Sequence, residues 1–168
     1  YPQFLIFKPS MFLTSIMLIF YWYKNNFLIN NFKNIKFKVN NFMVFGILSA
    51  IFLTTHSLFL GIETDIEIFK FLRRVVLIGF VIFEIIAQSI LVYNFYKLKT
   101  RLKKYFNSFV LKLKIILVSL LIFVALISSP LLIDSGNVHF KHALEWNYFI
   151  GVMLFYLLTN FLWKKKSL

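Results

Sequence analysis

The sequence predicts an all-α polytopic membrane protein, and two observations support this fold class. First, 60% of the 168 residues are hydrophobic and 15% are charged, whereas soluble domains are about half apolar and about a quarter charged. Second, five long apolar stretches divide the chain, and the segments between them alternate between basic and acidic. This alternation is the positive-inside pattern of helical membrane proteins.

Each apolar stretch is predicted to be one transmembrane helix of a bundle. A helix needs roughly 20 apolar residues to cross a bilayer, and in hydrocarbon its backbone groups must bond within the segment. Pro9 suits the first turn of the first span, while Pro130 lies near the outer end of the fourth. The five predicted spans are 9–23, 42–62, 75–96, 115–133 and 144–163.

The distribution of lysine and arginine predicts the orientation. Residues 24–41, residues 97–114 and the tail from Lys164 contain basic residues and no acidic ones. These segments and the C-terminus are therefore predicted to be cytoplasmic, with the N-terminus outside. We expect them to face anionic lipid headgroups, which accounts for much of the net charge of +13. No nucleic-acid-binding motif is present, so nucleic acid is not an expected partner.

The whole chain is predicted to form a single integral membrane domain, because no internal repeat or separate soluble segment is visible. Tyr1 stands where Met is expected, and an outside N-terminus is uncommon without a signal peptide; both features suggest a preceding first helix. The chain has no cysteine, which excludes disulfides and thiolate sites. Its excess of Phe, Ile, Lys, Asn and Tyr suggests an AT-rich genome. The sequence does not distinguish a bacterial inner membrane, an organellar membrane and an endomembrane as the location of the protein.

Glu84 is the most informative single residue, because it lies near the middle of the third span. An ionised carboxyl at that depth costs roughly 3 kcal/mol on insertion scales. We expect Glu84 to face other helices, to pair or to stay protonated. Gln88, one turn later, and Arg73, three turns earlier, share its face. Two interpretations stay open: a polar strip leading inward from the outer surface, or interhelical hydrogen bonds that hold the bundle together.

Histidine and carboxylate residues form a second group at the start of the fifth span. His139, His142 and Glu145 follow one another at a spacing of three, and His56 lies near the outer end of the second span. Imidazole and carboxylate suit zinc or iron, so one interpretation is a metal site. The other is a capping and interface cluster. In it Glu145 lies in the first turn of the helix, where the helix dipole favours an acidic side chain.

The outer loop between the second and third spans carries three acidic residues and is followed by Arg73 and Arg74. The loop is predicted to be solvated, with cation binding as the alternative. The two arginines are expected to pair with the loop or with a lipid phosphate. No Gly-rich phosphate loop and no Ser-His-Asp arrangement is visible, so the sequence predicts neither a catalytic centre nor a cofactor.

Several motifs resemble the FRAG/DRAM/SFK family of polytopic membrane proteins. They are His142-Ala-Leu-Glu145-Trp146 and the helix after it, the segment Ala87-Gln88-Ser89-Ile90, and Lys8-Pro9-Ser10 before the first span. Their order is similar to helices two to six of the six in that family. The family's first helix is absent, and its histidine lies further from the Glu-Trp pair than His142 does. The resemblance implies involvement with membrane lipids, with Glu145, Trp146 and Gln88 as the matching residues.

The leading functional prediction is an integral membrane protein that handles or senses membrane lipid. A structural subunit of a larger membrane complex, for example an organellar respiratory complex, is the second prediction, with protein partners in that complex. A membrane metalloenzyme that uses His56, His139, His142 and Glu145 is the third. For the lipid function, the binding residues are expected to form an outward-opening polar pocket from Glu84, Gln88, Arg73, Arg74, His56, His142, Glu145 and Trp146.

Overall fold

The computed structural model describes residues 2–31, 41–59, 66–100, 105–133 and 138–163. Five helices follow one another along the chain: α1 (Pro2–Asn31), α2 (Phe42–Phe59), α3 (Glu67–Leu98), α4 (Ser108–Ile133) and α5 (Val138–Leu162). The described ranges contain no β-strand, apart from an isolated bridge between Phe106 and Trp163. The prediction of an all-α fold is therefore confirmed, and each predicted span falls on one of the five helices.

Four of the helices begin before the predicted apolar spans, and α2 begins with its span at Phe42. Flanking polar residues do not interrupt backbone hydrogen bonding, so α1 begins at Pro2 and passes through Pro9, although Pro9 cannot donate the usual i→i−4 bond. Likewise α5 begins at Val138, six residues before the predicted start of the fifth span. Glu145 therefore lies two turns inside α5 and not in its first turn. The expected contribution of Glu145 to the helix dipole does not apply, because that effect is confined to the end turns.

Three of the helices are long and apolar enough to cross a membrane. They are α2, α3 and the Ser108–Ile127 part of α4, while α5 contributes the shorter apolar stretch Trp146–Leu162. This composition agrees with an integral membrane protein. The number of five spans and their orientation stay predictions.

The chain divides into two compact units, Tyr1–Ile90 and Leu91–Leu168, and α3 runs from the first unit into the second. In the first unit α1 packs against α2. The buried indole of Trp22 lies directly on Gly46, where any Cβ atom would overlap the ring. The ring of Phe42 lies next to the same indole, 6.1 Å away between centroids. Gly46 therefore brings the two helices close together at this level.

Aromatic rings connect α2 to α3 in the first unit. Phe83 lies between Phe45 and Phe52, with centroid distances of 6.3 and 5.3 Å. Phe52 also covers Gly79, where an added Cβ would come within 2.6 Å of the ring. Because later residues of α2 meet earlier residues of α3, the two helices run antiparallel.

In the second unit α4 packs antiparallel to α5, and Leu121 covers Gly151. The N–H of Asn107 donates to the carbonyl of Leu162 at 2.9 Å, so the start of α4 meets the end of α5. Phe95 of α3 joins them through edge-to-face contacts with Phe106 and Trp163, at 5.4 and 6.2 Å. The end of the unit where these three helix termini meet is flanked by the basic segment 97–114 and by the basic tail.

Candidate functional site

Glu84 lies in the middle of α3 and is completely buried. At about 1.5 Å per residue it is about 26 Å from the start of the helix and about 21 Å from the end. The same face of α3 carries the buried residues Phe80, Ala87 and Leu91. The carboxyl group is thus held among apolar side chains by the helical repeat itself, as the sequence predicts for an intramembrane acid.

Two polar side chains bond the Glu84 carboxyl, and both are completely buried. Ser49 Oγ of α2 lies 2.7 Å from Glu84 Oε2, and Gln88 Nε2 donates to Glu84 Oε1 at 2.9 Å. The bond to Gln88 matches the one-turn spacing in the sequence. Ser49 is a residue that sequence reasoning missed, because nothing in the chain places residue 49 opposite residue 84. The Glu84 cluster, defined as Glu84, Ser49 and Gln88, joins α2 to α3.

His56 is buried in α2, two turns after Ser49 and on the same buried face as Leu53. It lies in the part of α2 that packs against the beginning of α1, where the hydroxyl of Ser57 lies 3.2 Å from the carbonyl of Lys8. The place of His56 in the predicted outer pocket stays a prediction.

Arg73, Arg74 and Trp146 are exposed. Arg73 precedes the buried part of α3, which begins at Val76, so helical periodicity alone does not bring it to Glu84. Burial therefore separates the described members of the predicted outer pocket into two groups. Glu84, Gln88 and His56 are buried, whereas Arg73, Arg74 and Trp146 are exposed.

The predicted histidine cluster falls on α5, but the side chains of His139, His142 and Glu145 lie outside the described residues. Their part in a pocket or a metal site stays a prediction. Elsewhere, within the described parts of the chain, no three His, Asp or Glu side chains come close enough to hold a metal ion.

Lys114 is the second polar centre, and sequence reasoning placed it differently. Counting lysines put Lys114 in the cytoplasmic segment before the fourth span, whereas the structure places it in α4, about 9 Å from the first residue of the helix, and completely buried. Lys112, two residues earlier, is exposed. The two lysines differ because residues two apart point to different sides of a helix.

The ammonium group of Lys114 is held by α5. Lys114 Nζ donates to Thr159 Oγ1, whose own hydroxyl donates to the carbonyl of Phe155 at 3.0 Å. The ring of Phe155 lies 3.7 Å from Nζ, within the range of cation–π attraction, and the ring of Phe95 lies 5.9 Å away. Glu145 of α5 is not among the side chains that the structure describes, and those described in this unit include no acidic one. The described polar and ring contacts of Lys114 Nζ are therefore one hydroxyl and two aromatic rings.

Asn94 adds a further buried amide in the second unit. Its side chain is completely buried on α3, and neither amide atom has a hydrogen-bond partner among the described residues.

No protein-family model matches this chain, and comparison with curated proteins and with solved structures finds no match. The features of the site therefore have to be interpreted from their own chemistry.

Proposed function

We propose that this chain is an integral membrane protein that handles or senses membrane lipid through the first turns of α3. One observation supports this most directly: the first turns of α3 are mostly exposed, although the ring of Phe69 packs on Phe59 of α2. Ile68 is 75% exposed and Phe71 is 68% exposed, and both Arg73 and Arg74 are exposed beside them.

The composition of this segment, residues 67–75, suits the boundary between headgroups and acyl chains. Leu72 and Val75 add further exposed apolar surface. Apolar side chains of a helix at a membrane surface enter the acyl region, while basic side chains reach the headgroups. Arginine is suited to this contact because its planar guanidinium binds phosphate through two parallel hydrogen bonds. The pair at positions 73 and 74 offers two such groups next to each other.

The enclosed Glu84 cluster has a different part in this proposal. It lies about five turns of α3 away from the exposed first residue and joins α3 to α2. A lipid bound at the first turns of α3 would therefore act on a helix that is anchored further along by a buried hydrogen bond. The resemblance to a family involved with membrane lipids points in the same direction.

The test measures lipid retention on the purified protein by native mass spectrometry, with phosphatidylglycerol as the anionic probe and phosphatidylcholine as the neutral one. We expect R73Q/R74Q to weaken phosphatidylglycerol binding about thirtyfold, since each basic residue near a membrane surface contributes about 1 kcal/mol. R73K/R74K is the matched control, because it keeps both positive charges at the same exposed positions and should retain most of the phosphatidylglycerol binding.

The same spectra separate this proposal from a role as a structural subunit. Equal retention by wild type and R73Q/R74Q would contradict the proposed lipid contact. Recovery from native membranes in a stable complex with other chains, without retained lipid, would favour the subunit function instead.

A further inference from the structure

An exposed apolar stripe runs along one side of α3 beside the arginine pair. Its residues follow one another at spacings of four, three and four, which places them on the same side of a helix. Their side chains are between 40% and 68% exposed. This α3 stripe consists of Phe71, Val75, Ile78 and Ile82. The buried residues Val76, Phe80 and Glu84 lie on the other side, so the stripe faces away from the packing of this unit.

Arg74 adjoins the α3 stripe directly. It follows Phe71 by three residues and precedes Ile78 by four, and residues at these spacings are neighbours on a helix surface. Side chains of a helix lean toward its N-terminal end. The exposed guanidinium of Arg74 is therefore expected to extend over the Phe71 end of the stripe. A phosphate bound there would lie at one end of an apolar surface.

The length of the stripe matches one leaflet of a bilayer. Along the axis of α3, Ile82 lies about 12 Å from Arg74, and Glu84 lies about 15 Å from it. The hydrocarbon core is about 30 Å thick, so each leaflet contributes about 15 Å. With Arg74 at the boundary to the headgroups, an upright α3 has Glu84 near the bilayer centre and the stripe beside the acyl chains of one leaflet.

We infer that the ligand is a full-length anionic phospholipid that lies lengthwise on α3, an inference that rests on the proposed function. Its phosphate contacts the arginine pair, and one acyl chain lies on the α3 stripe. Residues 67–75 contain three basic residues and one acidic residue, so this segment favours an anionic headgroup. A free phosphate would meet the arginines and would not cover the stripe, which is why the acyl chain belongs to the ligand.

Photo-crosslinking of the full chain in phosphatidylcholine vesicles tests the inference. The probe is phosphatidylglycerol at a low mole fraction, with a diazirine midway along one acyl chain, and mass spectrometry locates the adducts. We expect the adducts to concentrate on the α3 stripe. R73Q/R74Q should lower them by more than about fivefold, because each basic residue contributes about that factor to binding of the anionic headgroup. R73K/R74K keeps both charges and should retain the adducts.

An exposed apolar side of α4 provides the internal reference. Its residues have the same spacing, are 54–64% exposed and follow the exposed Lys112; they are Ile116, Leu120, Phe123 and Ile127. Their adducts should not depend on Arg73 and Arg74. Phosphatidylcholine with the same diazirine should label the two helices equally in wild type and in R73Q/R74Q. An excess of inorganic phosphate should leave the phosphatidylglycerol adducts unchanged.

Phosphatidylglycerol adducts that are spread equally over the two helices and unaffected by R73Q/R74Q would overturn the inference. The proposed function would still stand in that case if R73Q/R74Q weakens phosphatidylglycerol retention in native mass spectra. Loss of the adducts in excess inorganic phosphate would assign the site to free phosphate and would also overturn the inference.

If R73Q/R74Q does not fold, wild type decides alone through the ratio of α3 to α4 adducts. A higher ratio with phosphatidylglycerol than with phosphatidylcholine supports the inference, and equal ratios contradict it.

Discussion

Lys114 and Thr159 form a contact in which the two partners contribute unequally to stability. The ammonium of Lys114 is completely buried and donates to Thr159. Removing only the acceptor leaves a buried cation with the rings of Phe155 and Phe95, and an unsatisfied buried polar group costs about 1–3 kcal/mol or more. Removing the cation as well eliminates the group that needs the bond, and replacement of buried charges by apolar residues is often neutral or stabilising.

We therefore expect T159V to lower the free energy of unfolding by about 1–3 kcal/mol, and K114M to change it much less. In the double variant K114M/T159V most of the loss caused by T159V should disappear. The measurement is denaturant unfolding of the purified protein in detergent micelles, followed by circular dichroism.

K112M is the matched control for this comparison, because Lys112 is an exposed lysine of the same helix. It should change stability by less than about 0.5 kcal/mol. Additive effects of K114M and T159V would mean that the two side chains do not depend on each other.

Single residues also show where sequence reasoning succeeded and where it stopped. The bond between Glu84 and Gln88 follows from a spacing of one turn, which any helix fixes. Ser49 and Thr159 could not be predicted as partners, because they lie 35 and 45 residues from Glu84 and Lys114 and meet them only through packing between helices. The burial of Lys114 could not be predicted, because a count of charges does not include the direction of a side chain.

At the scale of elements, the contact between α1 and α2 depends on the absence of a side chain at Gly46. A Cβ there would overlap the buried indole of Trp22. Overpacking of this kind costs about 1–3 kcal/mol, whereas Ala in place of Gly inside a helix gains up to about 1 kcal/mol. Whether Ala at position 46 lowers or raises the stability of the protein therefore depends on whether the indole of Trp22 is present.

We expect G46A to destabilise the wild-type protein by up to about 2 kcal/mol, the difference between these two effects. In a W22A background the same substitution should become neutral or stabilising, since only the gain in helix propensity is left. Thermal unfolding of the four proteins of this double-mutant cycle measures both values. An equal effect of G46A in the two backgrounds would show that the indole does not limit the approach of the helices.

The positions of the elements were predictable, but their ends were not. Apolar stretches of about 20 residues indicate where a helix must form, and each predicted span coincides with a helix. Backbone hydrogen bonding, however, continues past the apolar residues, so α1 includes Lys8 and Lys24 and α3 begins at Glu67. The hydropathy of the chain contains no signal for these polar extensions.

At the scale of the whole molecule, the positive-inside pattern predicts on which side each helix terminus lies. The chain has no cysteine, so a single introduced cysteine can report its own accessibility. We expect K24C and T100C to react with a membrane-impermeant maleimide from the cytoplasmic side, and E67C to react from the opposite side. All three positions are exposed in the described structure.

Sealed vesicles of known orientation provide the measurement, and the cysteine-free parent chain provides the blank. Labelling of all three positions from one side would contradict the predicted alternation of the spans.

The hydrogen bond between Lys114 of α4 and Thr159 of α5 also has a consequence for membrane insertion during synthesis. Thr159 follows Lys114 by 45 residues, which at about 5–20 residues per second is a delay of roughly 2–9 s on the ribosome. During that interval α4 exists without the Thr159 hydroxyl that accepts the hydrogen bond of Lys114. Newly made α4 is therefore expected to wait at the water boundary, or within the insertion machinery, until α5 emerges and the two enter the bilayer as a hairpin.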